Sequence, residues 1–256
     1  MADSQTDRAA AFAALHVKGD PVVLFNVWDP GSARVVEKAG AQALATGSWP
    51  VAAAFGYADG EKIPLDLALD NIRRIVAGTA LPVTMDLEGG YGTSPREVEA
   101  TVAKALEAGA VGINFEDQVV GGDGLHPVAV QAERIAAARK ACGDAGIAGF
   151  VNARTDIFLK TAPENHTPSM LDEAIERAAA YADEGADGFF APGLADEGMI
   201  GVLCDRVSLP VNVIALPGVP DKAALAACGV ARISYGPVPY RQMMASLDAA
   251  AKAAFA

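Results

Sequence analysis

Two carboxylates stand two residues apart in Val83-Thr84-Met85-Asp86-Leu87-Glu88-Gly89-Gly90-Tyr91-Gly92, at the end of an apolar run and directly before glycines. The run, opened by Leu81-Pro82, reads as a strand. Alternate strand residues share a face, so Asp86 and Glu88 point the same way where strand gives over to loop. Like charges that close resist joint ionisation unless a cation lies between them. A hard, oxygen-seeking ion, Mg²⁺ or Mn²⁺, resolves the conflict. Taken alone, the pair also reads as a solvated acidic turn.

The same alternation recurs twice. Asn114 and Glu116 share one face of a fourth strand, and Asn152, Arg154 and Asp156 one face of a fifth. Asp59 lies in the loop after the second strand and Asn212 on the seventh. Carboxylates crowded around one arginine make a poor pocket without a cation. Mg²⁺ keeps several waters and touches few protein carboxylates. Asp86 is therefore the expected direct ligand, with Glu88, Glu116 and Asp59 holding the ion's waters. Arg154 is the expected catalytic clamp on a substrate carboxylate or a developing oxyanion. The amides and hydroxyls of Thr46-Gly47-Ser48-Trp49 form a nest for a second anionic group, with Trp49 as wall, and Asn212 joins the substrate side. Structural readings stand beside these: Arg154 paired to Asp156 or Glu116, Ser48 as a turn serine, Asn212 as a satisfied barrel asparagine. His126 sits in a candidate lid.

Positioning such a set takes many strand ends at one mouth. Apolar runs beginning near Pro21, Ala41, Val83, Val111, Ala148, Asp187, Leu209 and Ala231 read as eight strands, and helical patterns follow each. A further helix precedes the first strand, between about Ser4 and Val17. Ser94-Pro95-Arg96-Glu97 is a helix start. The joints Ala39-Gly40-Ala41, Ala108-Gly109-Ala110 and Glu184-Gly185-Ala186 repeat one helix stop. This rhythm over residues 1–256 favours one (β/α)8 barrel over a doubly wound sheet, and no G-x-G-x-x-G follows the first strand. The long loops 46–63, 118–127 and 159–168 all follow strands, on the face where barrels keep their chemistry.

The 256 residues are 52% hydrophobic and 20% charged, with a net charge of −12. That composition gives ample core and argues against disorder. An acidic chain is unsuited to nucleic acid, and an anionic substrate needs local positive charge. Cys142, Cys204 and Cys228 show no metal-ligand spacing and read as small buried hydrophobes in a reducing compartment. No signal-peptide pattern or membrane-length apolar run is present, so a soluble, cytoplasmic protein is expected.

Asp86-Leu87-Glu88-Gly89-Gly90-Tyr91-Gly92 resembles the D-x-D-x-G-Y-G metal motif of the isocitrate lyase/phosphoenolpyruvate mutase superfamily. Thr46-Gly47-Ser48, Asp59, Phe115-Glu116-Asp117-Gln118 and Asn152-Ala153-Arg154-Thr155-Asp156 follow in its order and spacing. The resemblance runs from about residue 21 to 236. It implies a (β/α)8 barrel whose last helix is often exchanged between subunits, a homotetramer built from dimers, and Mg²⁺. It also implies a small 2-oxo or 2-hydroxy acid, broken or made at a C–C or P–C bond beside a metal-bound enolate. There are two departures. Glu88 stands where Asp is common. The loop Gln118–Pro127 lacks the Lys-(Lys/Arg)-Cys-Gly-His of the lyases and the gating loop of the mutases, so the chain resembles the phosphonomutase-like branch. The favoured expectation is a Mg²⁺-dependent lyase of a 2-oxo or 2-hydroxy dicarboxylic acid. The alternatives are a phosphoenolpyruvate mutase or phosphonopyruvate hydrolase type of P–C enzyme, and a non-catalytic ligand-binding barrel.

Overall fold

The computed structural model describes residues 4–256. Among them, eight strands run parallel: β1 (Val22–Leu24), β2 (Leu44–Ala45), β3 (Val83–Asp86), β4 (Gly112–Glu116), β5 (Phe150–Arg154), β6 (Gly188–Phe190), β7 (Val211–Ile214) and β8 (Arg232–Ser234). Each lies beside its sequence neighbours, and β8 lies beside β1. β1 and β2 meet through a bridge between Val27 and Thr46, where Val27 N–H donates to Ala45 O at 2.9 Å. This is the expected (β/α)8 barrel.

The helices are α1 (Gln5–Ala14), α2 (Pro30–Lys38), α3 (Ser48–Ala54), α4 (Leu65–Ala77), α5 (Pro95–Glu107), α6 (Val128–Asp144), α7 (Pro168–Asp183), α8 (Glu197–Arg206), α9 (Lys222–Ala227) and α10 (Val238–Phe255). α5 begins with a reciprocal cap, Ser94 with Glu97. It stops at Gly109 with φ +98°, where a Cβ would lie 2.8 Å from Val76 Cγ1; only glycine takes that turn without strain. α3 departs from the sequence reading, which takes 46–63 as a loop. Its proline, Pro50, falls in the first turn, where a missing N–H costs nothing, and alanines follow.

Outward strand residues pack under the helices in one large apolar core that includes Ile113, Phe115, Val151, Phe189 and Val213. Inside the barrel the lower end is apolar. Val22, Leu24, Ala43, Ala45 and Phe150 meet Ala9 and Phe12 of α1, so the N-terminal helix stoppers the end away from the strand tips. Above this plug the lumen is polar. Asn152 Nδ2 donates to Asn114 Oδ1 (2.8 Å) and Asn212 Oδ1 (3.1 Å). Fully buried Arg232 donates to Asn114 Oδ1 at 3.1 Å, and burial pulls its guanidinium down to about 9.

His16 closes the plug. Its ring stacks on Phe150 with centroids 4.0 Å apart, Nδ1–H donates to Phe12 O at 2.9 Å, and Nε2 is buried without a partner. Burial, then the charge of Arg232, pull its pKa to about 3. The folded state thus keeps His16 neutral where the unfolded chain protonates it near 6.5. Between those values the unfolded state binds more protons, so stability is full above pH 6.5 and falls towards pH 3, by about 4 kcal/mol in all. Replacing His16 by Phe is expected to flatten the acid limb of a urea-midpoint against pH curve. A variant as acid-sensitive as wild type would refute the assignment.

α10 leaves the barrel. From Arg241 to Ala256 almost every residue is exposed, including Met243, Met244 and Leu247. Among the described residues, no helix is long and apolar enough to cross a membrane.

Candidate active site

β3 ends at Asp86, and neighbouring elements set that carboxylate. Its backbone N–H donates to Thr46 Oγ1 at 3.1 Å, and its Oδ2 accepts the Ser48 N–H at 2.9 Å. Its Oδ1 is buried with no partner. An unpartnered buried carboxylate oxygen is costly and marks a place for a donor, water or cation.

The other acids surround it unequally. Asp59 lines the same cavity, its carboxyl raised by burial and then by the Asp86 charge. Glu88, in the left-handed region at φ +51°, turns outward to the 60–61 loop, where Oε2 accepts the N–H groups of Gly60 (2.9 Å) and Glu61 (2.8 Å). Burial, then Asp86, push it up to about 7. Glu61 answers by accepting the Tyr91 N–H at 2.8 Å. Glu116 is buried and pairs with Arg154 at 2.8 Å. Burial still pushes its carboxyl up, against the pull of Arg154.

Arg154 sits on β5 with Nε donating to Asp156 Oδ1 (2.6 Å) and Nη2 to Asp156 Oδ2 (2.9 Å). Burial works against its charge, but Glu116 and Asp156 outweigh it and hold the guanidinium protonated. Both structural pairings therefore form. Of five guanidinium N–H groups, these contacts occupy three, and two remain. Asp156 is placed in turn by Asp117 at the end of β4. Asp117 Oδ1 accepts the Asp156 N–H (3.0 Å), and Oδ2 accepts from Arg177 (3.2 Å) and Tyr181 (3.1 Å).

A cavity of about 290 Å³ opens over this floor, lined by Gly47, Ser48, Trp49, Asp59, Asp86 and Arg154 among others. Of the expected substrate-side residues, Thr46 and Asn212 do not line it, and the Ser48 amide is already engaged. Thr46 is buried and spent on Asp86 and on Asn26. The Ser48 amide, expected to bind an anionic ligand, already serves Asp86. Asn212 lies below the cavity floor, its Nδ2 given to Val213 O (2.8 Å), Arg232 O (3.1 Å) and Ser234 Oγ (3.2 Å). It is a barrel asparagine because its amide is consumed by groups of β7 and β8. Two residues not singled out in the sequence do line the cavity. Asn26 ties β1 to the neighbouring strand ends through the Tyr235 and Gly236 amides; a polar residue closing an apolar strand run was its signal. Arg241, from α10, lays its guanidinium 4.7 Å over the Trp49 ring; nothing local in the sequence marks it.

The 118–127 loop does not line the cavity. It folds on itself, bridging Gln118 to Leu125, with Val119 N–H donating to Gly124 O at 3.2 Å. His126 faces a separate cleft with Arg134, which holds the carbonyls of Gly89 and Gly92 and so braces the glycine turn after Asp86.

Among the described residues, no three His, Cys, Asp or Glu side chains make a closed metal cage. The donor set fits an ion that keeps its own waters: one free carboxylate oxygen on Asp86, Asp59 lining the same cavity, and Glu88 and Glu116 behind it.

The phosphoenolpyruvate phosphomutase family profile matches residues 12–255. The chain belongs to this family. Within the wider isocitrate lyase/phosphoenolpyruvate mutase superfamily, it is 50% identical to a Burkholderia cenocepacia protein described as a candidate phosphonomutase. That crystal structure superposes with a TM-score of 0.96, covering 98% of this chain and 100% of the other. An uncharacterised Mycobacterium tuberculosis protein is 34% identical, over 95% of this chain and 87% of its own length. The 2-methylisocitrate lyase of Escherichia coli is 30% identical, over 78% and 67%. This family member is thus of the lyase and mutase type of enzyme.

Proposed function

We propose that this enzyme is a Mg²⁺-dependent lyase that breaks a C–C bond, by cleavage or decarboxylation, in a small 2-oxo or 2-hydroxy dicarboxylic acid. The observation that carries the reading is the orphan Oδ1 of Asp86 in one cavity with Asp59 and a half-free Arg154. Asp86 would hold the ion, with Asp59, Glu88 and Glu116 on its waters. Bound there, the ion would supply a Lewis acid for charge developing on the 2-oxo oxygen. The two spare Arg154 N–H groups clamp the adjacent carboxylate. Glu116 and Asp156 hold the guanidinium plane rigid, which spares the ordering cost on binding. Arg241 meets a second carboxylate at the mouth, and Trp49 orients it.

The test is a turnover panel of oxaloacetate, substituted malates, methylisocitrate and phosphonopyruvate, with Mg²⁺ and with chelator. C–C cleavage that chelator and Asp86→Ala both abolish is expected. Activity indifferent to both would discard the reading. P–C chemistry is the second reading, supported by the likeness to the candidate phosphonomutase; turnover of phosphonopyruvate with silence towards oxaloacetate would establish it. The three free cysteines suit a cytoplasmic setting.

We also propose that α10 packs on a second copy of the chain, within a homotetramer. The bare apolar side chains Met243, Met244 and Leu247 support this, as does an open groove of about 600 Å³ lined by Val22, Phe25, Val35 and Val36. Sedimentation should show an oligomer, and Met243→Asp with Leu247→Asp should shift it to monomer. A monomeric wild type would end the proposal.

A further inference from the structure

Asn212, Asn152 and Asn114 carry one hydrogen-bond polarity through the barrel lumen to the cavity. An asparagine amide can face either way round, and its partners decide which. Asn212 Nδ2 donates to the carbonyls of Val213 (2.8 Å) and Arg232 (3.1 Å). Carbonyls only accept, so Oδ1 is the atom Asn212 turns to β5, where Asn152 Nδ2 meets it at 3.1 Å. The same Nδ2 donates to Asn114 Oδ1 at 2.8 Å. Arg232 ends the series, with Nη2 3.1 Å from Asn114 Oδ1, and a guanidinium has donors alone. Two donors thus hold one oxygen of Asn114 from below. Its Nδ2 is left towards the cavity that Asn114 lines. Asp86, across the register on β3, does not take that N–H, because its Oδ1 has no partner.

Holding this polarity is costly. Arg232 is fully buried, yet its bond goes to a neutral amide, and its Nε and Nη1 have no partner. Asn152 Oδ1 is stranded as well. A buried charge so poorly matched is commonly replaced by an apolar side chain of similar volume with no loss of stability. A local rule broken at such cost points to function. We propose that the Asn114 side-chain amide is a substrate-binding donor and that Arg232, which does not line the cavity, is its positioning residue. This rests on the reading above that the cavity takes a small acid. β4 lies between β3 and β5, so the N–H stands between Asp86 and Arg154. It serves an acceptor oxygen of the acid that Arg154 clamps, and that bond strengthens as negative charge develops on the oxygen.

The probe is oxalate, which offers acceptor oxygens and no donor, titrated calorimetrically with Mg²⁺ into the full chain. Asn114→Ala should weaken it about tenfold, the loss of one hydrogen bond to a charged acceptor. Arg232→Met should weaken it several-fold while melting at or above the wild-type temperature. In the double variant the Arg232 change should add nothing, because Arg232 acts through Asn114. A merely structural arginine would lower affinity in both backgrounds. Should Asn114→Ala strand Arg232 and fail to fold, the double variant, which removes both, is read against wild type for the same tenfold loss. Wild-type affinity without the Asn114 amide overturns the donor. Unchanged affinity in Arg232→Met, a further loss in the double variant, or a lower melting temperature for Arg232→Met overturns the positioning role. Absence of Mg²⁺-dependent oxalate binding by the wild type overturns the acid-site reading, and this inference with it.

Discussion

Mg²⁺ at a hundredfold excess over its dissociation constant is expected to raise the melting temperature by about 5–10 °C, and Asp86→Asn to abolish that rise. An ion that binds only the folded state at this excess contributes about 2.7 kcal/mol, and a chain of this length gains about 2–4 °C per kcal/mol. The response is assigned to Asp86 because, among the carboxylate oxygens of the described residues, its Oδ1 is the one buried without a partner, while Ser48 fixes its Oδ2. The same substitution should lower kcat/KM about 10³-fold, roughly 4 kcal/mol of lost charge stabilisation. Without metal the variant should melt no lower than wild type. An amide keeps the Ser48 contact and removes the repulsion that helps push up Glu88 and Asp59. Lost activity with an intact melting curve separates a metal site from a structural one. A wild type indifferent to Mg²⁺ in both melting and turnover would count against the assignment.

Asp117→Ala should cost about 3–5 kcal/mol, because it strands a buried cation. Arg177, with 6% of its side chain exposed, loses its fully buried carboxylate partner and keeps half-exposed Glu173 as its one carboxylate, beside the neutral His126 carbonyl and Tyr181 hydroxyl. The Tyr181 hydroxyl and the Asp156 N–H lose their acceptor as well. At 2–4 °C per kcal/mol, thermal melting should fall by about 10 °C. Activity should suffer beyond that, since Asp156 orients Arg154 through two hydrogen bonds. Assayed well below its melting point, the variant should show a raised KM from a loosened clamp. Asp117→Asn keeps the Asp156 contact and should restore most of the KM but less of the stability. A melting loss under about 2 °C for Asp117→Ala would show that Arg177 does not need the pairing.

Much of this architecture was legible in the linear chain. Eight apolar runs, each followed by a helical pattern, and the glycine stops at Gly40, Gly109 and Gly185 report local geometry. The period-2 alternation placed Asp86, Asn114, Glu116 and Arg154 on inward faces because a strand has no other way to turn them. α3 was missed because Ser48-Trp49-Pro50 reads as a break, though a proline in the first helical turn breaks nothing.

Depth and partnership were not legible. Asn114 and Asn212 are both inward asparagines on strands, yet Asn114 lines the cavity and Asn212 is consumed beneath it. Which inward amide is consumed depends on the strands that meet beside it, and that meeting is a property of the closed barrel. The Ser48 amide belongs to Asp86, and Glu88 belongs to the 60–61 amides, through contacts spanning 38 and 28 residues. Arg241 reaches the site only because the last helix starts at the mouth. By itself, then, the sequence determined the alternation of strands and helices and the inward faces of Asp86 and Arg154, because propensity and periodicity act between near neighbours, while the motif around Asp86 carried the family resemblance. Only the tertiary structure decided which oxygen is left without a partner, which arginine donors stay free and which way the Asn114 amide faces. Those depend on where distant strands meet, and no local pattern encodes a meeting point.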